Sequence, residues 1–374
     1  MEDILCDDAI RIVVETIGGT DIAYGLTRQS LLSGRHVVTS NKELITVHGA
    51  ELLELAARNN VHYLFEASMG GGIPIIRSLS QCFAANEIHH ITGILNGTTN
   101  DILTQMRRNG TPFPTALPDA QKKGTTEADP ATDIQGLDSC RKLAILSTIA
   151  YDAFIDYRDI HTESITGIGP VDMAYAALLG GAIRFIAESR RTDAGIHARV
   201  GPVIIPDRSP LANVDGVTNA ILVEGNALGE AMFYGRGSGK CPTASAVVAD
   251  IMDIVRNPSN DRCHHWLQMD APVVVNHLED NVVLFVRLRT DGNLEAVRQL
   301  INRLFDKLDF YVLDHPDARS ELAFSTGLGM EMEHRMKMKS LDNALALSDV
   351  EPSSNAKAGI LCVLRHWSAE NQSL

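Results

Sequence analysis

Short apolar runs alternate with longer amphipathic ones along the first part of the chain. Ile10 to Glu15 (IRIVVE) is β-branched and stops before Gly18-Gly19, which predicts a buried parallel strand. A helix is expected over about Ile22 to Ser33, ending at Gly34. His36 to Thr39 reads as a second strand running into Ser40-Asn41-Lys42, Glu51 to Arg58 as a helix, and Val61 to Glu66 as a third strand. Strands and helices alternating at this spacing predict an α/β, Rossmann-like parallel sheet, in which ligands bind at the carboxyl ends of the strands. Thr16, Lys42 and Glu66 stand at those ends.

The pattern then changes. Residues 88–95 (IHHITGIL) predict a strand, and the Asn96-Gly97-Thr98-Thr99-Asn100 turn leads to a helix beginning near Asp101. That turn either caps the helix through Asn100 or offers its hydroxyls and free N–H groups to a carboxylate. Asn109 to Pro118 reads as a loop, and a turn at Asp129-Pro130, with Thr132 and Asp133 as capping residues, starts a helix that continues to about Tyr151. Val171 to Ser189 is expected to be one long apolar helix, followed by strands over 195–205 and 217–223. After the Gly235-Arg236-Gly237-Ser238-Gly239 turn comes a helix from about Thr243 to Val255, then a linker through Pro272. Segments 282–290, 294–308, 309–314, 321–330, 335–348 and 359–365 give a βαββαβ order, the ferredoxin-like pattern. The expected organisation is a sheet unit over 1–85 with 227–258 returning to it, an α+β unit over 86–226, and a ferredoxin-like unit over 273–374.

Composition narrows the function. The 374 residues are 45% hydrophobic and 21% charged, ordinary for two or three globular domains. With 33 basic against 47 acidic residues, the net charge of −14 disfavours nucleic acid or anionic membrane as a partner and favours small-molecule work. The start of the chain, MEDILCDDAI, has no basic region followed by an apolar run, and no stretch reaches membrane-spanning length. Six cysteines are scattered without a CxxC pair, which fits a reducing cytoplasm.

Candidate chemistry concentrates in KKGTTEADPATDIQGLDSCRK, residues 122–142. Asp138 and Lys142 lie four apart on one helical face. Alone, such a pair is a solvated ion pair worth a few tenths of a kcal/mol. Lys42 alone is an exposed loop charge, and Gly70-Gly71-Gly72 alone is a tight strand-to-helix turn where something approaches the backbone closely. His89 and His90, adjacent on a strand, face opposite sides and form no metal pair.

Three separated blocks change those weights: GILNGTTNDIL at 93–103, EADPATDIQGLDSCRKLAIL at 127–146 and YGRGSGKCPTASAVVADI at 234–251. In that order they resemble homoserine dehydrogenases over most of residues 10–258. The resemblance implies NADP- or NAD-dependent interconversion of L-homoserine and L-aspartate 4-semialdehyde. It gives Lys142 and Lys42 to proton transfer, Glu127 and Asp138 to the substrate amino group, and Gly97 and Thr98 to substrate contact. It gives Thr16, Lys42 and Gly239 to the cofactor. It also implies a sodium or potassium ion on Glu66 and the carbonyls of Met69, Gly71 and Ile73, hard oxygen ligands for a hard cation. The middle unit is then the substrate and dimerisation domain of a homodimer or homotetramer, and the C-terminal unit resembles a regulatory ACT domain that takes threonine.

The chain departs from that family in four places. Thr125 stands where a tyrosine is common, Lys240-Cys241 replace small residues, and Thr290-Asp291-Gly292-Asn293 replaces a Pro-Gly turn. No GxGxxG fingerprint is present, so the expected parallel sheet is incomplete by at least one βαβ unit of roughly 30 residues and exposes an apolar edge. The alternative reading is a catalytically silent regulatory or binding subunit lacking the cofactor fingerprint.

Overall fold

The computed structural model of the protein describes residues 2–122, 130–259, 266, 273–290, 294–314, 321–347 and 358–367. The first unit is a parallel sheet of β1 (Ile12–Glu15), β2 (His36–Thr39) and β3 (Tyr63–Leu64), in that order. The helix Asp21–Leu32 lies close to the expected span. The next helix runs Lys42–Arg58, well ahead of the Glu51 start expected from periodicity. Asn41 decides this, because its side chain accepts the Leu44 N–H at 3.0 Å and caps the helix at Lys42. The third strand is shorter than expected, and Glu66 already belongs to a 3₁₀ turn, Glu66–Ser68. Among the described residues β1 has no partner on its outer edge, and Val14, Ile17 and Ile22 beside it are exposed, as are Val248, Met252 and Val255 of the helix Lys240–Arg256.

A mixed sheet forms the centre of the molecule. It contains β4 (Ile88–Ile94), β5 (His161–Thr162), β6 (Gly181–Thr192), β7 (Gly195–Pro206), β8 (Thr218–Gly225) and β9 (Gly229–Arg236). The long apolar helix expected over Val171 to Ser189 is instead a helix, Pro170–Leu178, followed by β6. Gly180 ends the helix in the left-handed region at φ 68°, and from Gly181 onward the side chains pack on a twelve-residue antiparallel ladder with β7. An apolar run buried on both faces reads the same in either state, and pairing with β7 selected the strand. Residues 229–236 pair with β8, so the chain returns to the small sheet only after that strand. The expected loop at 109–118 contains a helix, Phe113–Lys122, with Pro118 inside it.

The helix Leu137–Tyr151 packs on one face of this sheet, where Ser147 Oγ donates to Ser189 Oγ at 2.7 Å and Tyr151 donates to the Ser189 carbonyl at 2.8 Å. Alternation turns the neighbouring Glu188 to the other face, where it accepts from Arg199 and lies 2.9 Å from His90. Asn100 is not a cap. Its amide donates to the carbonyls of Val214, Gly216 and Thr218, pinning the crossover before β8, and Asn96 caps the helix Gly97–Asn109 by accepting the Thr99 N–H at 2.9 Å.

The C-terminal unit has the expected βαββαβ order: β10 (Asn281–Arg289), Leu294–Leu304, β11 (Asp309–Tyr311), β12 (Glu321–Ser325), Glu331–Leu347 and β14 (Gly359–His366), with the short β13 (Gly329–Met330) beside β10. Its strands run β11-β12-β10-β14, and β14 pairs in parallel with β7, so one continuous sheet joins this unit to the middle one. Trp266, in the linker, seats on Gly49 between Phe65 and Phe154.

Buried ion pairs bolt the seam. Asp172 is fully buried, accepts the Gly169 N–H at 2.8 Å at the start of Pro170–Leu178, and takes both Arg287 Nε at 2.7 Å and Nη2 at 3.1 Å. Glu163 takes Arg365 Nη1 at 2.8 Å, and Asp280 takes Arg190 at 2.7 Å. Removing one partner of such a pair leaves an uncompensated buried charge, so Asp172→Ala is expected to lower the free energy of unfolding by about 3–5 kcal/mol in urea titrations. A loss below about 1 kcal/mol would class Asp172–Arg287 with surface pairs.

Candidate active site

Three backbone ends converge on one cleft. β2 delivers Asn41 and, through its cap, starts a helix at Lys42. β4 ends at Ile94 and hands the chain through Leu95 and Asn96 to the helix Gly97–Asn109. The segment 131–142 breaks between the short helix Ala131–Ile134 and Leu137–Tyr151, because Gly136 takes a left-handed φ of 84°. A single helix from Asp133 onward was expected; the break turns Asp133 toward Asn96 instead of leaving it as a cap.

Asp138 holds the centre. Its Oδ1 lies 3.0 Å from Lys42 Nζ and its Oδ2 lies 2.9 Å from Lys142 Nζ. Lys142 Nζ also donates to the Leu95 carbonyl at 2.8 Å. Asn96 Nδ2 donates to Asp138 Oδ2 at 2.9 Å and to Asp133 Oδ1 at 2.8 Å, while Asn96 Oδ1 accepts the Thr99 N–H. The ion pair that sequence alone marks as a solvated couple is thus buried, with Asp138 and Lys142 each under a tenth exposed, and the partly exposed Lys42 and Asp133 join it in a cluster of two lysines and two acids. Arg141 and Glu43, one residue along each helix, make a second ion pair between Leu137–Tyr151 and Lys42–Arg58.

The electrostatics separate the two acids. Burial works to raise the pKa of Asp138, but the charges of Lys142 and then Lys42, with hydrogen bonds from Asn96 and Lys142, outweigh it and hold the group well below the carboxylate range. Asp133 is raised, by burial first and then by the charge of Asp138, against hydrogen bonds from Asn96 and Thr98. The cleft therefore presents a permanent anion flanked by two cations, with a second, softer carboxyl beside it.

The cleft encloses about 390 Å³ and opens between the small sheet and the large one. Of the residues expected to act, Lys42, Lys142, Asp138, Gly97, Thr98 and Met69 line it together. Thr16 and Gly239 do not: both are exposed, one after β1 and the other before the helix Lys240–Arg256. Glu127, and Thr125 with it, falls outside the described residues. Glu66 is buried behind the cleft, its carboxylate accepting the N–H groups of Ile76 and Arg77, each at 2.9 Å. Burial raises its pKa. What approaches Gly71 so closely is the chain itself, since a Cβ there would lie 2.4 Å from the Thr243 nitrogen. Asn96, Ser40, Asn219 and the Leu95 carbonyl were missed; Asn96 carried a signal as the first residue of the NGTTN turn, whose cap was read as Asn100, whereas Asn219 in an apolar strand carried none.

Comparison with known proteins bears on the same residues. A family model described as "Homoserine dehydrogenase, NAD binding domain" matches residues 1–66, and one described as "Homoserine dehydrogenase" matches residues 74–252. The homoserine dehydrogenase of Pseudomonas aeruginosa is 43% identical over 273 residues, covering 72% of this chain and 63% of that protein. That of Synechocystis sp. is 44% identical over 311 residues, covering 74% of this chain and 72% of that protein. A crystal structure of a homoserine dehydrogenase from Thiobacillus denitrificans superimposes with a TM-score of 0.84 at 34% identity, covering 98% of this chain and 84% of the other. The chain thus spans somewhat less than two thirds of the Pseudomonas protein.

The charge cluster has a signature in stability. A carboxyl whose folded pKa lies below its ordinary 3.8 contributes stability that is present above that value and is lost as pH falls toward the folded one. Thermal melts in acid are therefore expected to fall more steeply below about pH 4 for the wild type than for Asp138→Asn. Parallel curves for the two proteins would mean that Asp138 is not held as the anion of this cluster.

Proposed function

We propose, for a chain that belongs to the homoserine dehydrogenase family, that it interconverts L-homoserine and L-aspartate 4-semialdehyde with NADP or NAD, a step of threonine, methionine and isoleucine biosynthesis. The observation that carries this reading is the sharing of Asp138 between Lys42 and Lys142 at the wall of a cleft closed by Gly97 and Thr98. Lys142 has three N–H groups; one goes to Leu95 and one to Asp138, leaving a third for an oxygen in the cleft. In our reading Lys142 as the ammonium gives that third proton to the carbonyl oxygen in reduction, and in oxidation it starts as the neutral amine and takes the hydroxyl proton onto its lone pair at the same place, while the neighbouring charge of Lys42 stabilises that oxygen as it becomes alkoxide-like. Glu127 and Asp138 orient the substrate ammonium, with the carboxyl of Asp133 on the same wall. Gly97 and Thr98 bring the start of a helix to the substrate.

When bound, a nicotinamide accepts or donates the hydride at the carbinol carbon. The carboxyl end of β2 fits its reactive end: Ser40 and Lys42 line the cleft there, with Gly237 and Ser238. We assign Thr16, Lys42 and Gly239 to holding it. A monovalent cation, sodium or potassium, on Glu66 and the carbonyls of Met69, Gly71 and Ile73 suits two neighbouring buried acids, of which Asp250 takes the guanidinium of Arg77 while the Glu66 carboxylate takes the backbone N–H groups of Ile76 and Arg77. We further assign threonine binding to the ferredoxin-like unit, pairing of subunits to the middle sheet, and the cytoplasm as compartment. The five described cysteines are all free, and no helix among the described residues is long and apolar enough to cross a membrane.

Steady-state kinetics test the reading. Lys142→Ala is expected to lower kcat by roughly 10²–10⁴. Glu127→Ala is expected mainly to raise KM for homoserine, and Asp138→Ala to lower kcat as well, because it releases both lysines. Calorimetric titration with NADPH and NADH decides the cofactor; a chain that bound neither would be the silent subunit of the alternative reading. Unchanged turnover in Lys142→Ala would remove Lys142 from the proton transfer.

A further inference from the structure

The Leu95 carbonyl has two donors. Lys142 Nζ reaches it from one side at 2.8 Å, and Asn219 Nδ2 reaches it from the other, also at 2.8 Å. Asn219 lies in β8 and is 3% exposed, and its Oδ1 has no hydrogen-bond partner among the described residues. The amide is pressed against Gly237: a Cβ at that glycine would come within 2.1 Å of Asn219 Nδ2. Gly237 in turn belongs to the glycine-rich turn, and its carbonyl accepts the Gly71 N–H at 3.2 Å. An asparagine buried with half its hydrogen-bonding capacity unused is costly in an apolar strand, where leucine or valine would pack without loss. Its retained bond therefore needs a reason.

We propose that Asn219 is a positioning residue for Lys142. A peptide carbonyl offers two lone pairs in its plane. With one taken by Asn219, the Leu95 peptide is held flat and a single direction is left for the lysine. Asp138 Oδ2, 2.9 Å away, provides the second fixed acceptor. Two fixed acceptors orient a three-proton ammonium and send the remaining N–H into the cleft, where a reacting oxygen has to sit. Without the amide the Leu95 carbonyl is free to tilt or take a water, and the ammonium is free to turn toward Asp138 and Asn96. The same contact makes the orientation of Lys142 sensitive to the glycine-rich turn, since any shift of Gly237 pushes on the Asn219 amide directly.

The kinetic part of this inference rests on the proposed dehydrogenase reading, so its test has an arm that needs no activity. Asn219→Leu keeps the volume and removes the donor; Asn219→Ser keeps a donor hydroxyl at smaller size; Asn219→Ala removes both and stands in if the leucine variant does not fold. Brief reductive methylation of each intact protein, followed by peptide mass spectrometry, reads the freedom of the Lys142 amine against the exposed Lys122. Methylation of Lys142 is expected to speed up about threefold or more in Asn219→Leu and Asn219→Ala and much less in Asn219→Ser. In turnover, the leucine and alanine variants are expected to lose about tenfold in kcat with KM for homoserine nearly unchanged, and the serine variant to recover most of that loss. Methylation equal to wild type in all three variants would reduce Asn219 to packing beneath Gly237 and overturn the inference. A wild type that never oxidises homoserine would overturn the dehydrogenase reading, and the methylation arm would still decide the role of Asn219.

Discussion

One carboxylate between two ammoniums organises this molecule. Lys42 comes from the small parallel sheet, while Asp138 and Lys142 come from a helix packed on the large one, so their contact closes the cleft and joins the two halves in a single act. Taking the Asp138–Lys142 pair out of water is expensive, and the arrangement is tolerable because each has a further partner, the Leu95 carbonyl for Lys142 and Asn96 for Asp138, while Lys42 stays a third exposed. The remaining N–H of Lys142 and the partly exposed ammonium of Lys42 are left facing the cleft. On the proposed reading, such a site suits an oxygen that gains negative charge and an ammonium beside a carboxylate.

The scaffold keeps that geometry by making its connections short and dry. β4 carries the polar ladder of His90 at one end and, just past the other, Leu95 and Asn96 at the site. The same sheet runs on through β7 and β14 into the ferredoxin-like unit, where Arg287 crosses the seam to the buried carboxylate of Asp172 and Arg365 to the partly buried one of Glu163. The glycine-rich turn after β9 lies against Gly71 and Gly72 backbone to backbone, Gly237 to Gly71 and Arg236 to Gly72. Each contact leaves little freedom for one unit to slide on another without uncovering a charge.

Much of this was legible in the chain, and the parts that were not have a common cause. The first two strands, the helix after β1 and the βαββαβ tail were readable because their signals are local: a β-branched run, a glycine stop, a repeating apolar face. The pairing of Asp138 with Lys142 followed from helical spacing, and the place of Lys42 just past the second strand from the end of that apolar run. Residues 171–189 were misread because an apolar run buried on all sides has no periodicity to betray its state, and only the ladder with β7 settles it. The helix at Lys42 was placed late because its start depends on one asparagine side chain, a signal weaker than the apolar run that follows.

By itself, then, the order of residues determined the alternation of strands and helices, the acidic balance, the three blocks of family resemblance and the residue types able to move a proton. Only the tertiary structure decided that Asp138 serves Lys42 and Lys142 at once, that Asn96 ties Asp133 to it, and that Asn219 shares the carbonyl on which Lys142 rests. The reason is range. Periodicity and capping act over a few residues, whereas these partners lie as much as 124 positions apart along the chain and meet only where two sheets close on each other.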